Sequence, residues 1–325
     1  KSMKSILIRA DMDALPIDEV SDKPYKSQNK NVMHACGHDA HVAVLLGVCK
    51  ILNNFKDKFG GVVKAVFQPG EETSGGALPM IEEGVLENPH TDVCVALHCD
   101  SDLDCGTIRV KPGSLYASPD DFRITVKGKG GHGAEPHNCI DPIMISASII
   151  QALNNLISRE TDPFDNAVIS VGSIHGGSAT NIIPDSVEIQ GTARSLTNEV
   201  RGFLKKRIGE TAEGICKTFG AECEYEYTEL FPPLINDEKL AEDVYDSACR
   251  SIGKDKCVWG GAPTMAGEDF SYFSQNRPSV LFKLGCRNKS LGIVSLIHHS
   301  SFDIDENCLK TGVKVFVGVV SDYLN

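Results

Sequence analysis

His34-Ala35-Cys36-Gly37-His38-Asp39-Ala40-His41 runs directly into an almost wholly apolar stretch at residues 42–52. One histidine in such a place caps a helix or fills a core. Three histidines, a cysteine and an aspartate in eight positions instead concentrate the nitrogen, sulfur and oxygen donors that hold zinc, manganese or a similar divalent ion. Val42, Val44, Leu45, Leu46, Val48, Ile51 and Leu52 cover nearly the whole circumference of a helix, which predicts a deeply buried helix with the donor-rich turn at its start.

Working outward, an apolar strand pattern at residues 5–10 (Ile6, Leu7, Ile8) ends in Asp11 and Asp13. Open α/β sheets place ligands at such carboxyl ends of strands. A second strand pattern at 61–67 runs into Gln68-Pro69-Gly70-Glu71-Glu72. An acidic pair there also suits the first turn of a helix; as the third polar cluster after a strand it reads as part of one site. A third strand pattern at 92–97 is expected to end at His98. Strands alternating with helical patterns predict a mostly parallel sheet with covered faces.

After Ser118-Pro119 the pattern changes. Residues 122–127 and 224–227 alternate apolar and polar, as half-buried antiparallel strands do. Between them lie a helix opened by Asp141 with Pro142 at its first position, strands near 167–174 and 185–194, and an amphipathic helix carrying Val200, Leu204, Ile208 and Ala212. Strand, helix, strand, strand, helix, strand is the order of a ferredoxin-like α+β domain. The expected organisation is an α/β domain at 1–117 and 229–325, interrupted by an inserted domain at 118–228. The return passes through Phe231-Pro232-Pro233, then a helix near 237–252, a strand at 280–284, the stretch 298–303 and a closing helix from near Asp305.

The composition narrows the function classes. Of 325 residues, 44 are acidic and 32 basic, a formal charge of −12 that argues against nucleic acid or an anionic membrane as partner. No apolar stretch is long enough for a bilayer span or resembles a secretory signal. Twelve cysteines, scattered without small-scaffold spacing, suit reduced thiols in a cytoplasm. The chain opens on Lys1 with a strand almost at once, which reads as a processed or truncated product.

These stretches together resemble the M20 metallopeptidases, and in particular their amidohydrolase subfamily of N-acyl-amino-acid deacylases, hippurate hydrolases and auxin-conjugate hydrolases. The resemblance rests on residues 9–16, 34–41, 68–72, 97–98, 128–136, 175–184, 191–194, 267–270 and 298–305, in order from end to end. It implies a metallohydrolase domain with a lid and dimerisation domain. It also implies two divalent ions per subunit, zinc or manganese with cobalt and nickel as further candidates, held by Cys36, His38, Glu72, His98 and His298. His298 is preferred to His299 because it lies four residues before Phe302. Glu71 would be the general base, with Asp11 and Asp13 orienting ligands from behind. His132, Asn181 and Arg194 match positions used for substrate and oxyanion binding, the first two reaching into a partner subunit's site of a homodimer. The implied activity is hydrolysis of the amide bond of N-acetyl or aromatic N-acyl amino acids by a metal-activated water. The alternatives are a dipeptidase or carboxypeptidase of the same fold, or a catalytically silent ligand-binding relative.

Overall fold

The computed structural model describes residues 3–73 and 75–325. The chain begins with β1 (Ser5–Asp11), α1 (His38–Asn54), β2 (Val62–Gln68), α2 (Ala77–Glu82), β3 (Val93–Asp104), β4 (Ile108–Val110) and β5 (Gly113–Tyr116). It continues with β6 (Ser118–Lys127), β7 (Gly131–His132), α3 (Pro142–Asn155), β8 (Ala167–His175), β9 (Ile182–Ile183), β10 (Ser186–Ser195), α4 (Asn198–Thr218) and β11 (Glu222–Thr228). It closes with β12 (Leu234–Asn236), α5 (Glu238–Ile252), β13 (Cys257–Trp259), α6 (Ser271–Asn276), β14 (Ser279–Arg287) and α7 (Asn307–Leu324). Two compact units result: Lys1–Leu115 with Ile235–Ala262 and Glu268–Asn325, and Tyr116–Leu234 with Pro263–Gly267.

The first unit is built on a six-stranded sheet in the order β13-β4-β14-β3-β1-β2. The pairs β1/β2, β1/β3, β3/β14 and β4/β13 are parallel, and only β4/β14 is antiparallel. All seven residues of β1 are buried, which explains its run of apolar residues without alternation. Helix α1 packs on β1, β3 and α7. Gly312 of α7 lets the two helices approach, since a Cβ there would sit 3.0 Å from Val44 and 3.1 Å from Leu97.

Two expectations are corrected here. Helix α1 buries Val44, Leu45, Val48 and Leu52 but exposes Leu46 and Ile51, so it is covered on one side only. An apolar circumference does not by itself say which face finds a partner. Strand β3 does not end at His98 but runs on to Asp104, leaving His98 buried in mid-strand between Leu97 and Cys99. The continuation is held by pairing with β14, where Lys283 faces His98 and Leu284 faces Cys99.

The second unit has an antiparallel sheet in the order β11-β6-β10-β8, with α3 and α4 joining its strands in the ferredoxin-like sequence. Phe122, Ile124 and Val126 of β6 and Ile189 of β10 form one core with Ile145, Ile149, Leu204 and Ile208 of the helices. Among the described residues no helix is long and apolar enough to cross a membrane.

Helix α3 starts where its sequence dictates: the Asp141 carboxylate accepts from Ile143 N–H at 2.9 Å and Met144 N–H at 3.4 Å, with Pro142 beginning the first turn. Asp141→Ala should lower stability by about 1 kcal/mol. Asp141→Asn should keep most of that cap. Urea midpoints of the two variants against the parent check it; equal midpoints for Ala and Asn would show that the cap adds nothing.

Candidate metal centre

The site grows from a charge that has no business in an apolar strand. Arg9 lies fully buried in β1, and a buried guanidinium must find acceptors for its five N–H groups. Its Nε donates to Gln68 Oε1 at 2.9 Å and its Nη1 to Asp11 Oδ2 at 2.7 Å. Its Nη2 donates to Glu268 Oε1 at 2.9 Å and Asp269 Oδ1 at 2.8 Å. Burial alone would disfavour the charged guanidinium, but Asp11, Glu268 and Asp269 outweigh it and raise its pKa further. The ends of β1 and β2 and the segment before α6 are thereby tied to one cation.

On this base the donors converge. Gly37 makes the turn between Cys36 and His38 in a left-handed conformation (φ 80°), against Cys99, which a Cβ would meet at 3.1 Å. Cys36 Sγ lies 3.4 Å from His98 Nε2 and 3.3 Å from His298 Nε2. Glu72 Oε1 lies 3.2 Å from His298 Nε2 and 3.8 Å from His38 Nε2. Within each of the groups Cys36–His38–His98, Cys36–Glu72–His298 and His38–Glu71–Glu72, the ligand atoms all lie within 4.8 Å of one another. Cys36 belongs to the first two groups and His38 and Glu72 to two each, so the constellation is continuous.

Two histidines are oriented from their far side. His38 Nδ1 is 3.1 Å from both the carbonyl and the carboxylate of Asp13, so it carries the proton and turns Nε2 inward. His98 Nδ1 meets the Cys99 carbonyl at 2.7 Å with the same result. Asp13 also accepts from the Glu72 backbone N–H at 2.9 Å, coupling two donors through one carboxylate. His298 has a left-handed backbone (φ 63°), unusual for a non-glycine residue, with its N–H donating to Ala35 O at 2.7 Å.

The electrostatics fit a cation. His38 Nε2 and Glu72 Oε1 are buried without a hydrogen-bond partner, an arrangement that is expensive unless something positive sits between them. Burial, then the charge of Glu72, pushes the Cys36 thiol far above its ordinary range. Burial and then Glu268 push Glu71 up to about 10. Burial would lower His38, but Asp11 and a bond to Asp13 raise it to about 9. Buried acids and thiols pushed away from ionisation, beside a His38 whose carboxylate neighbours favour positive charge, mark a pocket suited to a cation. The donor set, mixed in N, S and O, suits divalent ions.

The model of peptidase family M20/M25/M40 matches residues 7–322. The chain belongs to that family. It is 42% identical over 315 residues to thermostable carboxypeptidase 2 of Saccharolobus solfataricus, covering 96% of this chain and 79% of the relative. It is 39% identical over 305 residues to an N-acetyl-L-cysteine deacetylase of Bacillus subtilis, covering 94% and 71%. Among solved structures, a Bacillus subtilis dinuclear metal binding peptidase of the M20 family superposes with a TM-score of 0.86 at 32% identity, over 100% of this chain and 82% of the other. The protein is therefore a metal-dependent hydrolase acting on amides, and it uses divalent metal ions.

For this M20 enzyme the structure sorts the residues singled out in the sequence. Cys36, His38, Glu72, His98 and His298 come together, with Glu71 beside His38 and Glu72. His299 does not join them; its Nδ1 accepts from Ser301. Asp13 touches His38 and Glu72, whereas Asp11 pairs with Arg9 and His41 and stands 3.5 Å from His38 Nε2. His41 has both nitrogens engaged, by Asp11 and by the Cys99 N–H at 2.9 Å, and so acts as a brace. In the second unit His132 of β7 pairs with Ile182 of β9, and Gly133 N–H donates to Asn181 O at 2.8 Å, which sets His132 beside Asn181. Arg194 lies at the far end of β10 and donates to Met265 O at 2.9 Å.

Arg9, Gln68, Glu268 and Asp269 received no individual role from the sequence, although they stand in the motifs. The available signal was Arg9 itself, a charge inside a strand that is otherwise buried and apolar. Arg9→Met should destabilise the first unit by about 3–5 kcal/mol, because it leaves three carboxylates buried without their counter-ion. Arg9→Lys should recover only part, since an ammonium cannot serve four acceptors in fork geometry. Chemical denaturation of both variants checks this, and a Met variant as stable as the parent would remove the network from the account.

Proposed function

We propose that this protein hydrolyses the amide bond of N-acyl amino acids, with acetyl or aromatic acyl groups, using two zinc or manganese ions per subunit, cobalt or nickel being able to substitute. The observation that carries the reading is the convergence of Cys36, His38, Glu72, His98 and His298 with Glu71 beside them. The similar deacetylase of Bacillus subtilis supports the substrate class. In this reading the five residues hold the ions and Glu71 is the base. When bound, the ions supply Lewis acidity that acidifies water and polarises a carbonyl.

The chain's own residues do the rest. Glu71 takes the proton of the attacking water on its carboxylate and returns it to the leaving amine nitrogen. Asp13 keeps His38 in the tautomer whose Nε2 carries a free lone pair, and Asp11 does the same for the brace His41, whose Nε2 accepts from the Cys99 N–H. His132 and Asn181 donate to the carbonyl oxygen as it becomes an oxyanion, and Arg194 binds substrate. Twelve free thiols suit a reducing compartment such as the cytoplasm.

A second reading, dipeptidase or carboxypeptidase, is favoured by the similar carboxypeptidase of Saccharolobus solfataricus. Turnover of N-acetyl, N-benzoyl and dipeptide substrates with added Zn²⁺, Mn²⁺ or Co²⁺ separates the two. Hydrolysis of dipeptides alone overturns the first.

Glu71→Gln cannot accept a proton, so kcat should fall ~10²-fold or more while metal content stays near that of the parent. Cys36→Ala should instead lose most of its metal in elemental analysis. If Glu71→Gln loses metal and Glu72→Gln keeps it, the two glutamates have exchanged roles.

We further propose a homodimer through the second unit, in which each site borrows His132 and Asn181 from its partner. The support is the sheet order, which among the described residues leaves β8 and β11 as edge strands. Co-expressed His132→Ala and Glu71→Gln chains, each inactive alone, should regain part of the activity in the heterodimer. No recovery in a verified heterodimer would place His132 in its own chain's site or outside catalysis.

A further inference from the structure

We propose that the segment 291–297 is an apolar wall for the acyl group of the substrate, so that this enzyme prefers aromatic or branched acyl groups to acetyl. The inference rests on the N-acyl-amino-acid reading above. Within seven positions the loop exposes Leu291 (66%), Val294 (52%), Leu296 (59%) and Ile297 (37%) to solvent. Single exposed apolar side chains are ordinary, but four large ones in so short a segment mark a surface that something covers.

The loop is built to hold them outward. Asn288 and Ile293 exchange backbone hydrogen bonds of 2.9 Å in both directions. The Asn288 carboxamide oxygen accepts from the Ser290 N–H at 3.1 Å and the Leu291 N–H at 3.3 Å, and its Nδ2 donates to Asp305 at 2.6 Å. Ile293 is buried beneath the loop. At the other end the chain passes straight into His298, fixed by its left-handed backbone and its bond to Ala35 O. The exposed Ile297 is thus bonded directly to a residue 3.3 Å from Cys36 and 3.2 Å from Glu72.

Chemistry decides which part of a substrate lies there. The scissile carbonyl belongs at the donor cluster, and from it the substrate extends in two directions. The amino-acid side carries a carboxylate, which would lose its hydration against a wall whose one polar side chain between Leu291 and Ile297 is Ser295. The acyl side carries no charge and gains by leaving water. An acetyl group offers a single methyl, too little to cover these side chains; a benzoyl ring or branched chain offers enough.

The test compares kcat/KM for N-benzoyl and N-acetyl derivatives of one amino acid, using the metal-loaded full chain. The parent should favour benzoyl. The double variant Val294→Ser/Leu296→Ser should lower the benzoyl-to-acetyl ratio by about tenfold or more, in line with what apolar contacts of this size discriminate. Phe55→Ser removes an exposed apolar side chain elsewhere in the same unit and should leave the ratio as it was. Thermal melts of all three confirm folding. An unchanged ratio in the double variant, or a parent that favours acetyl, overturns the inference while leaving the proposed activity standing. A double variant that alters preference among amino acids at fixed acyl group also overturns it, since the wall would then serve the other side. A parent that cleaves no N-acyl amino acid but does cleave dipeptides removes the underlying reading, a result that no ratio can imitate.

Discussion

One buried guanidinium sets the terms for the first unit. Arg9 has no water to solvate it, so its partners must come to it, and they come from β1, from the end of β2 and from the segment preceding α6. A point cation could satisfy one or two of these. A planar fork with donors on both edges satisfies four and fixes their directions. Asp269 is held from further sides as well, by Gln68 Nε2 and by the Ala77 N–H at 3.0 Å, so the start of α2 joins the same network.

From this network, constraint passes outward to the chemistry. Asp11 is shared between Arg9 and His41, and His41 in turn accepts from the Cys99 backbone next to His98. Asp13 joins His38 to Glu72. The donors around Cys36 are thus positioned by groups that are themselves hydrogen-bonded, as a metal site needs if its ligands are not to collapse on one another. The same closeness makes the cluster electrostatically uncomfortable: buried Glu71 is pushed up by burial and Glu268, and buried Cys36 by burial and Glu72. A divalent cation held by these donors would relieve that discomfort directly.

The second unit follows simpler rules. Its β6 alternates because one face meets α3 and α4 while the other is open, and Asp120 fastens it by accepting from Arg201 at 2.6 and 2.7 Å and from the Tyr227 hydroxyl at 2.9 Å. The segment Pro263–Gly267 joins this unit although it lies far along the chain, with Ala117 N–H donating to Ala266 O at 2.9 Å. No periodicity announces such a segment, because its place depends on a partner more than a hundred residues away.

Local pattern was enough to read β1, β2, β6, β8, β10, β11 and β14, helices α1, α3, α4, α5 and α7, and the mostly parallel and antiparallel character of the two sheets, because periodicity and caps are properties of neighbouring residues; the short β4, β5, β7, β9, β12, β13 and α6 hold too few residues to show a period. Asp141 shows the case well: its role needs only the three residues after it. The spacing of Cys36 and His38 likewise announced donors, since both lie in one turn. What no local pattern could decide was company. Whether Leu46 and Ile51 are buried depended on where α1 found its neighbours, and where β3 stopped depended on β14. The spacing to Phe302 already preferred His298 to His299; what only the fold shows is the left-handed backbone with which His298 comes within 3.3 Å of Cys36. That Arg9 would gather Gln68, Glu268 and Asp269 was decided by burial, which turns an ordinary surface residue into one whose every donor must be answered from across the fold.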